Sequence, residues 1–295
     1  MIKIISKFFR NKNIIKKEIT FVHHKPQIFN IGDYLCSPKH YFYFINPINN
    51  LYIIGGGIYP SFARKYLKKN NLKKDQVILW GIGESNSKNF IPQKLKMDKD
   101  FLQVGIRDVI SVEQEYFLPC VSCLHPILDL EILGRGTVLF LNADIEVTTN
   151  TDSNFYQELL DKNNWSIAFN NCTEEELIDI LQNNQHIITN SYHGAYWGLL
   201  SGHNVTLLGY SSKFSSLLKI FNLDDNLLIK ITRGDNSSIL EVLKNINNLD
   251  NSYKLVDSKL VLKEFRNKNI DFINSLKEKS IISDFKLIKD VYNEK

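Results

Sequence analysis

Short apolar runs rich in β-branched residues alternate with helix-like stretches along most of this chain, and this alternation constrains the fold more than any other feature. The runs occupy residues 19–23, 51–54, 77–80, 103–106, 137–141, 165–169, 186–189 and 205–208. Strands that alternate with helices form parallel sheets covered by helices. The sequence therefore predicts an α/β fold rather than an all-β or an all-α fold.

Two glycines that flank Arg135 divide these runs into two series and are typical of a hinge. A chain of 295 residues is long enough for two domains with separate cores. In the second series, Thr173 is expected to cap a helix with an acidic first turn, and residues 191–200 are expected to form another helix. We predict a basic amphipathic N-terminal segment, two α/β domains and a helical tail that packs back across the first domain, at residues 1–18, 19–134, 135–250 and 251–295.

Composition excludes several classes of protein. The chain is 43% hydrophobic and 12% aromatic, which is too apolar for a disordered protein. Its formal net charge is only +4, which gives no electrostatic reason to expect a nucleic-acid partner. No apolar run approaches the roughly 20 residues needed to cross a bilayer. We therefore expect a cytoplasmic protein.

The four cysteines show neither the spacing of a disulfide framework nor that of a zinc site. Without a secretory signal, the four of them are expected to be free thiols rather than disulfides. Cys120, Cys123 and His125 lie close together in sequence, but no second Cys/His pair stands at a spacing that would complete a zinc site. The sequence therefore predicts no bound metal.

The first 17 residues have a pattern of their own, in which isoleucines and phenylalanines are interleaved with lysines and one arginine. This pattern suits a segment that lies on an anionic membrane surface. It is also compatible with a solvated basic arm that packs loosely on the first domain, the interpretation we favour. Both interpretations remain open at this point.

Polar residues and glycines follow the strand-like runs at the positions where α/β sheets bind ligands, beyond the carboxyl ends of the strands. Each has a structural explanation by itself: Asn30 and Asp33 could cap a helix, and Arg107 could belong to a surface ion pair. Together they predict a site at one edge of both sheets. His23 and His24, at the end of the first run, lie at the same edge.

The order of these signals resembles the polysaccharide pyruvyl transferases over residues 19–220. The resemblance is carried by Asn30-x-Gly32-Asp33, Gly55-Gly56-Gly57, Trp80-Gly81-x-Gly83, Arg107-Asp108-x-x-Ser111, Asp129, Ser191-x-His193-Gly194 and Lys213-Phe214. It implies a GT-B-like architecture, in which two Rossmann-like lobes with parallel sheets enclose an interdomain cleft. It also implies transfer of a pyruvyl group from phosphoenolpyruvate to a sugar, forming a ketal in a cell-surface glycan, without a cofactor.

Carried onto this sequence, the resemblance implies a catalytic role for His193, Arg107 and Lys213. Arginine and lysine pair with carboxylate and phosphate groups, and histidine exchanges protons near neutral pH. The donor is then expected to contact Asn190, Ser191, Tyr192, Gly194 and Ser212. The acceptor is expected to contact His23, Asn30, Gly32, Asp33, Gly55, Gly56, Gly57, Gly83 and Glu84. It would be a saccharide, plausibly lipid-linked, at the inner face of the membrane.

One position departs from the family pattern: members commonly have an arginine two residues before the histidine, where this chain has Ser191. The change removes a bidentate partner for an anion. It leaves a second interpretation open, a GT-B glycosyltransferase that uses a nucleotide-activated sugar. A third is a non-catalytic member of the family that binds a glycan.

Overall fold

Two parallel sheets, one in each half of the chain, form the framework of the protein. The predicted α/β fold with parallel sheets is thereby confirmed, and a strand is found at each of the predicted apolar runs. The computed structural model describes residues 18–47, 49–56, 61–86, 90, 101–108, 114–150, 152–246 and 251–288. The predicted N-terminal segment, apart from Glu18, therefore lies outside the described residues, and so do Gly57 and Ser111.

In the first half, four strands pair in the order β1-β3-β4-β5, all parallel. Every residue of β4 is buried, as expected for a parallel strand covered on both faces. The elements in chain order are β1 (Ile19–Val22), α1 (Ile31–Leu35), β2 (Phe42–Pro47), β3 (Leu51–Gly55), α2 (Ser61–Lys69), β4 (Val77–Ile82) and β5 (Gln103–Ile106).

In the second half, a five-stranded parallel sheet has the order β10-β9-β8-β6-β7. Its elements are β6 (Gly136–Leu141), α3 (Gln157–Asn163), β7 (Ser166–Phe169), α4 (Glu174–Asn183), β8 (Asn184–Thr189), α5 (Tyr192–Leu200), β9 (Asn204–Gly209), α6 (Ser212–Ile220), β10 (Ile229–Lys230) and α7 (Asn236–Asn245).

The strand order of the second sheet reverses at β6, which pairs with β7 on one side and with β8 on the other. A crevice opens at such a switch point beyond the carboxyl ends of the two diverging strands. The chain leaves β6 at Asn142 and β8 at Asn190, so these residues flank the crevice.

Local sequence explains the helices that frame this crevice. Thr173 and Glu176 form a reciprocal capping box at the start of α4, as predicted. The predicted helix over residues 191–200 is α5, with Ser191 as its N-cap. All nine residues of α5 are buried, which fits its almost uniformly apolar sequence.

The C-terminal region joins the two halves through α8 (Ser258–Glu278). Phe265 packs in the hydrophobic cluster of the second half, whereas Phe272 and Leu276 pack in that of the first. Asn269, fully buried between them, accepts a hydrogen bond from Trp80 Nε1 at 2.8 Å. No helix among the described residues combines the length and the apolar character needed to span a membrane.

The expectation of a wholly helical tail is wrong at its end. The last described element is β11 (Ile282–Leu287), which pairs antiparallel with β2 to form a separate two-stranded sheet. The pairing lets Phe285 contact Phe42, with ring centroids 6.0 Å apart. Burial of aromatic side chains across this strand pair outweighs the helical appearance of the charged tail.

Candidate active site

A cavity of about 600 Å³ lies between the two halves, where the carboxyl ends of both sheets meet. The first half contributes His24, Asn30, Asp33 and Arg107, and the second contributes Asn142, Tyr192, His193, Tyr210 and Lys213. Neither half forms the site alone. Several of the residues predicted at one edge of both sheets thus line one open cavity.

His193, in the first turn of α5, lies at the centre of this arrangement. Its imidazole packs directly against Gly32 of α1, where any Cβ atom would overlap the ring. On the other side, Nε2 lies 3.6 Å from Cys120 Sγ. Burial, reinforced by the positive charges of Arg107 and Lys213, lowers the pKa of His193 to about 3. The imidazole is therefore neutral near pH 7 in the free protein.

Arg107 follows β5 and is almost fully buried. Its guanidinium stacks over the Tyr192 ring, 4.1 Å from the centroid, and its Nε has no partner among the described residues. Burial opposes the charge, but Tyr192 and Asp108 raise the pKa of Arg107 overall, so the group stays cationic. A stacked guanidinium with unused donors is well suited to bind an anion.

Asp108 lies next to this arginine and is also buried. One carboxylate oxygen accepts a hydrogen bond from the Glu84 amide, and the other has no partner within the described part of the chain. Burial raises the pKa of Asp108 to about 6, although Arg107 opposes that shift. Gly83 packs against both side chains, where a larger residue would collide with them.

Asp33 supplies a carboxylate to the cavity from the first turn of α1. The Asn30 side chain caps that helix by accepting hydrogen bonds from the amides of Gly32 and Asp33, at 2.9 and 3.3 Å. His24 Nδ1 donates to Asp33 Oδ2 at 3.2 Å. Burial alone would raise the pKa of Asp33, but the His24 hydrogen bond and the nearby positive charges lower it overall. The group is therefore a carboxylate near neutral pH.

Lys213 approaches the cavity from the first turn of α6. Its Nζ donates to Tyr210 Oη at 2.7 Å and lies 4.7 Å from the Tyr210 ring centroid. Asn142 Nδ2 donates to the same hydroxyl at 3.4 Å. Throughout the described residues no carboxylate forms an ion pair with Lys213, so its charge is available to a ligand.

Residues 1–212 match the family model of the polysaccharide pyruvyl transferases. The chain belongs to the polysaccharide pyruvyl transferase family. The match confirms the resemblance seen in the sequence, includes Asp33, Arg107 and His193, and ends one residue before Lys213. No curated protein and no solved structure matches the chain. Membership places the chain among transferases that modify polysaccharides.

Several residues predicted for the donor side of this transferase do not line the cavity. Asn190 accepts a hydrogen bond from the Asn142 amide at 2.7 Å and donates to Thr148 Oγ1 at 3.1 Å. Ser191 accepts from the Gly194 amide at 3.4 Å and caps α5. These side chains hold the loops that position His193, and a direct role in donor binding stays a prediction.

Ser212, also predicted for the donor, links the two halves of the transferase instead of lining the cavity. Its hydroxyl donates to Glu84 Oε2 at 3.3 Å and accepts from the Asn86 amide at 2.8 Å. Beside it, Ser85 Oγ donates to Ser211 Oγ at 3.0 Å. These contacts fix the loop after β4 against the start of α6, which carries Lys213.

The remaining predicted residues lie at the edge of the first sheet. Gly55 and Gly56 pack against Cys36, and the positive φ of 66° at Gly56 explains the glycine there. The His23 side chain does not line the cavity, and its Nδ1 is buried without a partner among the described residues. The neighbouring His24 occupies the cavity wall instead.

The cavity also contains residues that sequence reasoning did not select. Asn142 directly follows β6 at the switch point, so the strand-end rule could have identified it. Tyr210 positions Lys213, and its place one residue beyond β9 gave the same signal. Cys120 does not line the cavity but contacts His193. It had no such signal, because it reaches His193 only through the folded arrangement of the two halves.

The Cys-x-x-Cys-x-His segment has other contacts in the folded transferase. Cys123 Sγ accepts a hydrogen bond from Asn269 Nδ2 at 3.4 Å, and His125 Nδ1 accepts one from the Ile127 amide at 3.2 Å. Across the described ranges, no cluster of three or more histidine, cysteine or acidic side chains is arranged to hold a metal ion.

Proposed function

We propose that this transferase moves a pyruvyl group from phosphoenolpyruvate to two hydroxyls of a saccharide, forming a cyclic ketal. The observation that carries the proposal is that two cations, Arg107 and Lys213, line one cavity with an imidazole and a carboxylate, those of His193 and Asp33. The cations come from opposite halves of the chain. A GT-B-like arrangement of two lobes, with the cavity as its cleft, fits this distribution.

Phosphoenolpyruvate carries a carboxylate and a phosphate, and the two cations offer a site for each. The planar guanidinium of Arg107 can bind one anion in a bidentate manner, and its Nε has no partner among the described residues. The ammonium of Lys213 can bind the other as a point charge. Both groups lie against aromatic side chains, and among the described residues neither forms an ion pair that donor binding would have to break.

The reaction needs one base and one acid. An acceptor hydroxyl adds to C2 of the donor and loses its proton while C3 gains a proton. A second hydroxyl then displaces phosphate from C2, and its proton leaves with the phosphate. The products are the ketal and inorganic phosphate. We assign the base to Asp33, which is a carboxylate at neutral pH, and the acid to His193.

His193 must gain a proton to act as the acid. Burial and the two cations keep its pKa at about 3 in the free protein. A bound donor brings negative charge that offsets Arg107 and Lys213, and this raises the pKa of the imidazole. The imidazole of His193 would therefore be protonated only when the donor is bound.

A second candidate function is glycosyl transfer from a nucleotide-activated sugar. It is favoured by Ser191, which occupies the position of a family arginine and is committed to capping α5. The phosphates of a sugar nucleotide could pair with Arg107 and Lys213 in the same way. In both cases the acceptor we propose is a precursor of a surface polysaccharide, lipid-linked at the inner face of the membrane.

Ligand-induced stabilisation separates the two donors. We expect phosphoenolpyruvate at about 100 times its Kd to add about 2.7 kcal/mol of stability, a rise of several degrees in Tm. CMP, UDP and GDP should leave Tm unchanged. Stabilisation by one nucleotide, with phosphoenolpyruvate without effect, would reject the pyruvyl donor and support glycosyl transfer.

Variants of the cavity give the control for this measurement. Arg107→Gln and Lys213→Gln should each abolish most of the shift, because each removes a cation that the donor needs. Arg233→Gln is the matched control, since Arg233 also lines the cavity but its guanidinium is paired with Glu146 at 2.8 Å. An equal loss in all three variants would mean that only the general positive field of the cavity matters.

A further inference from the structure

A row of buried side chains leads from α5 to the imidazole of His193. Trp197 Nε1 donates to Ser122 Oγ at 3.0 Å. Ser122 Oγ lies 3.2 Å from Cys120 Sγ, and Cys120 Sγ lies 3.6 Å from His193 Nε2. Trp197, Ser122 and Cys120 are each at most 1% exposed, and none of them lines the cavity.

The direction of the hydrogen bonds in this row follows from its first member. An indole nitrogen can only donate, so Ser122 Oγ must accept from Trp197. The serine hydroxyl has one hydrogen, and within the described part of the chain Cys120 Sγ is its only acceptor. Burial raises the pKa of Cys120, so the thiol keeps its own hydrogen. That hydrogen points to His193 Nε2.

We propose that Cys120 is a positioning residue that fixes the tautomer of His193, so that the neutral imidazole carries its proton on Nδ1. Nε2 is then an acceptor held by the thiol. The opposite tautomer would make Nε2 a donor to Cys120 and turn the thiol toward Ser122. The serine hydrogen would then have no acceptor among the described residues.

The tautomer determines what His193 can do in the cavity. Nδ1 faces Gly32 of the opposite half and has no partner among the residues described, so it is the nitrogen that meets a substrate. With a hydrogen on Nδ1, the neutral ring offers the cavity a donor and keeps its lone pair on Nε2, away from the cavity, so it cannot act as a base toward a ligand there. When donor binding raises its pKa, the ring takes up a second proton from solvent and donates Nε2–H to Cys120 Sγ. It can then deliver the Nδ1 proton, and the neutral ring that remains returns to the Nδ1–H form by proton exchange with solvent after the products leave.

This inference rests on the proposed function only for the acid role, because the tautomer is a property of the free protein. In the reaction, the Nδ1 proton would move to C3 of phosphoenolpyruvate, while Asp33 takes the proton of the attacking hydroxyl. The hydrogen bonds that lead from Trp197 to His193 therefore assign the role of acid to His193, and the role of base is left to Asp33.

The test is histidine nitrogen NMR on the full-length protein without substrate. Two-bond ¹H–¹⁵N correlation spectra of ¹⁵N-histidine-labelled protein near pH 7 distinguish the two tautomers, and His193→Gln assigns the His193 signals. We expect a protonated Nδ1 in the wild type and in Cys120→Ser, which keeps a donor at this position. Cys120→Ala should shift the ring toward the Nε2-protonated form.

Cys123→Ala is the matched control, because Cys123 is a buried thiol of the same segment that contacts Asn269 and should leave the tautomer unchanged. If Cys120→Ala does not fold, Ser122→Ala interrupts the row one step earlier. A wild-type ring protonated on Nε2, or a tautomer indifferent to Cys120→Ala, would overturn the proposal.

Kinetics give a second readout once turnover is established. Loss of the correct tautomer should lower kcat by at least about 10-fold, and by no more than the roughly 10²–10⁴-fold that a general acid contributes. It should leave KM for phosphoenolpyruvate nearly unchanged. Cys120→Ser should restore most of kcat. If phosphoenolpyruvate is not a donor, the spectra still decide the tautomer, so the two proposals can fail separately.

Discussion

Replacing Gly32 with alanine is the smallest change that should disturb His193 from the opposite half of the protein. The added methyl carbon would overlap Nδ1, Cγ and Cβ of the histidine. The ring has little room to retreat, because Cys120 Sγ lies 3.6 Å beyond Nε2. The methyl group must therefore move α1, move α5, or turn the imidazole.

Two opposing terms set the size of the effect on stability. Overpacking a buried site costs about 1–3 kcal/mol. Alanine is favoured over glycine within a helix by up to about 1 kcal/mol, which offsets part of that cost. The free energy of unfolding should thus fall by about 0–2 kcal/mol. Activity should fall further, because a displacement of about 1 Å in a catalytic group costs on the order of 100-fold.

The assay pairs urea unfolding with turnover of phosphoenolpyruvate, measured as phosphate release. Gly198→Ala in α5 is the control, because its methyl group would meet Val205 and Ile187 side chains at 2.9 and 3.1 Å rather than His193. It should show a similar change in stability with most of its activity retained. Wild-type turnover by Gly32→Ala, or an equal loss in both variants, would refute the reasoning.

Three further outcomes are expected. Asn269→Ala leaves Trp80 Nε1 without its acceptor and should lower the free energy of unfolding by about 1–3 kcal/mol in urea titrations; an unchanged midpoint would contradict this. Burial lowers the pKa of His186 from 6.5 to about 4, so the unfolded chain binds the proton first and stability should decline as pH falls from about 6.5 toward 4. His186→Gln should flatten that decline in unfolding curves recorded between pH 7.5 and 4.5, and an identical pH profile would exclude the assignment. Deletion of residues 2–17 should reduce the share of protein that sediments with membranes, and unchanged fractionation would reject a membrane role for this segment.

The sheet framework could be predicted because its strands are signalled locally. Runs such as residues 77–80 are apolar on both faces, as buried parallel strands must be. The pair formed by β2 and β11 gave no comparable signal. These two strands contain exposed, charged and aromatic residues without a clear apolar run. Each strand is stabilised by pairing with the other, and the two are more than 200 residues apart in sequence.

The residues of the candidate site could also be predicted only in part. The rule that ligands bind beyond strand ends led to Arg107, which follows β5 directly, and to His193, which lies in the first turn of the helix after β8. It could not separate residues that face the cavity from those that hold its loops, such as Asn190. The contact of Cys120 with His193 was also out of reach, since it depends on how the two halves meet.

The core of the first half is completed by residues that are synthesised after the whole of the second sheet. Trp80 and Phe42 share their hydrophobic cluster with Phe272, Leu276 and Ile282. The first half must therefore wait, with its central strand only partly covered, until α8 and β11 have been synthesised. Domains that fold during synthesis generally do so from the N-terminus onward. In this protein the order is constrained in the opposite direction, and a premature stop before α8 would damage the half that is synthesised first.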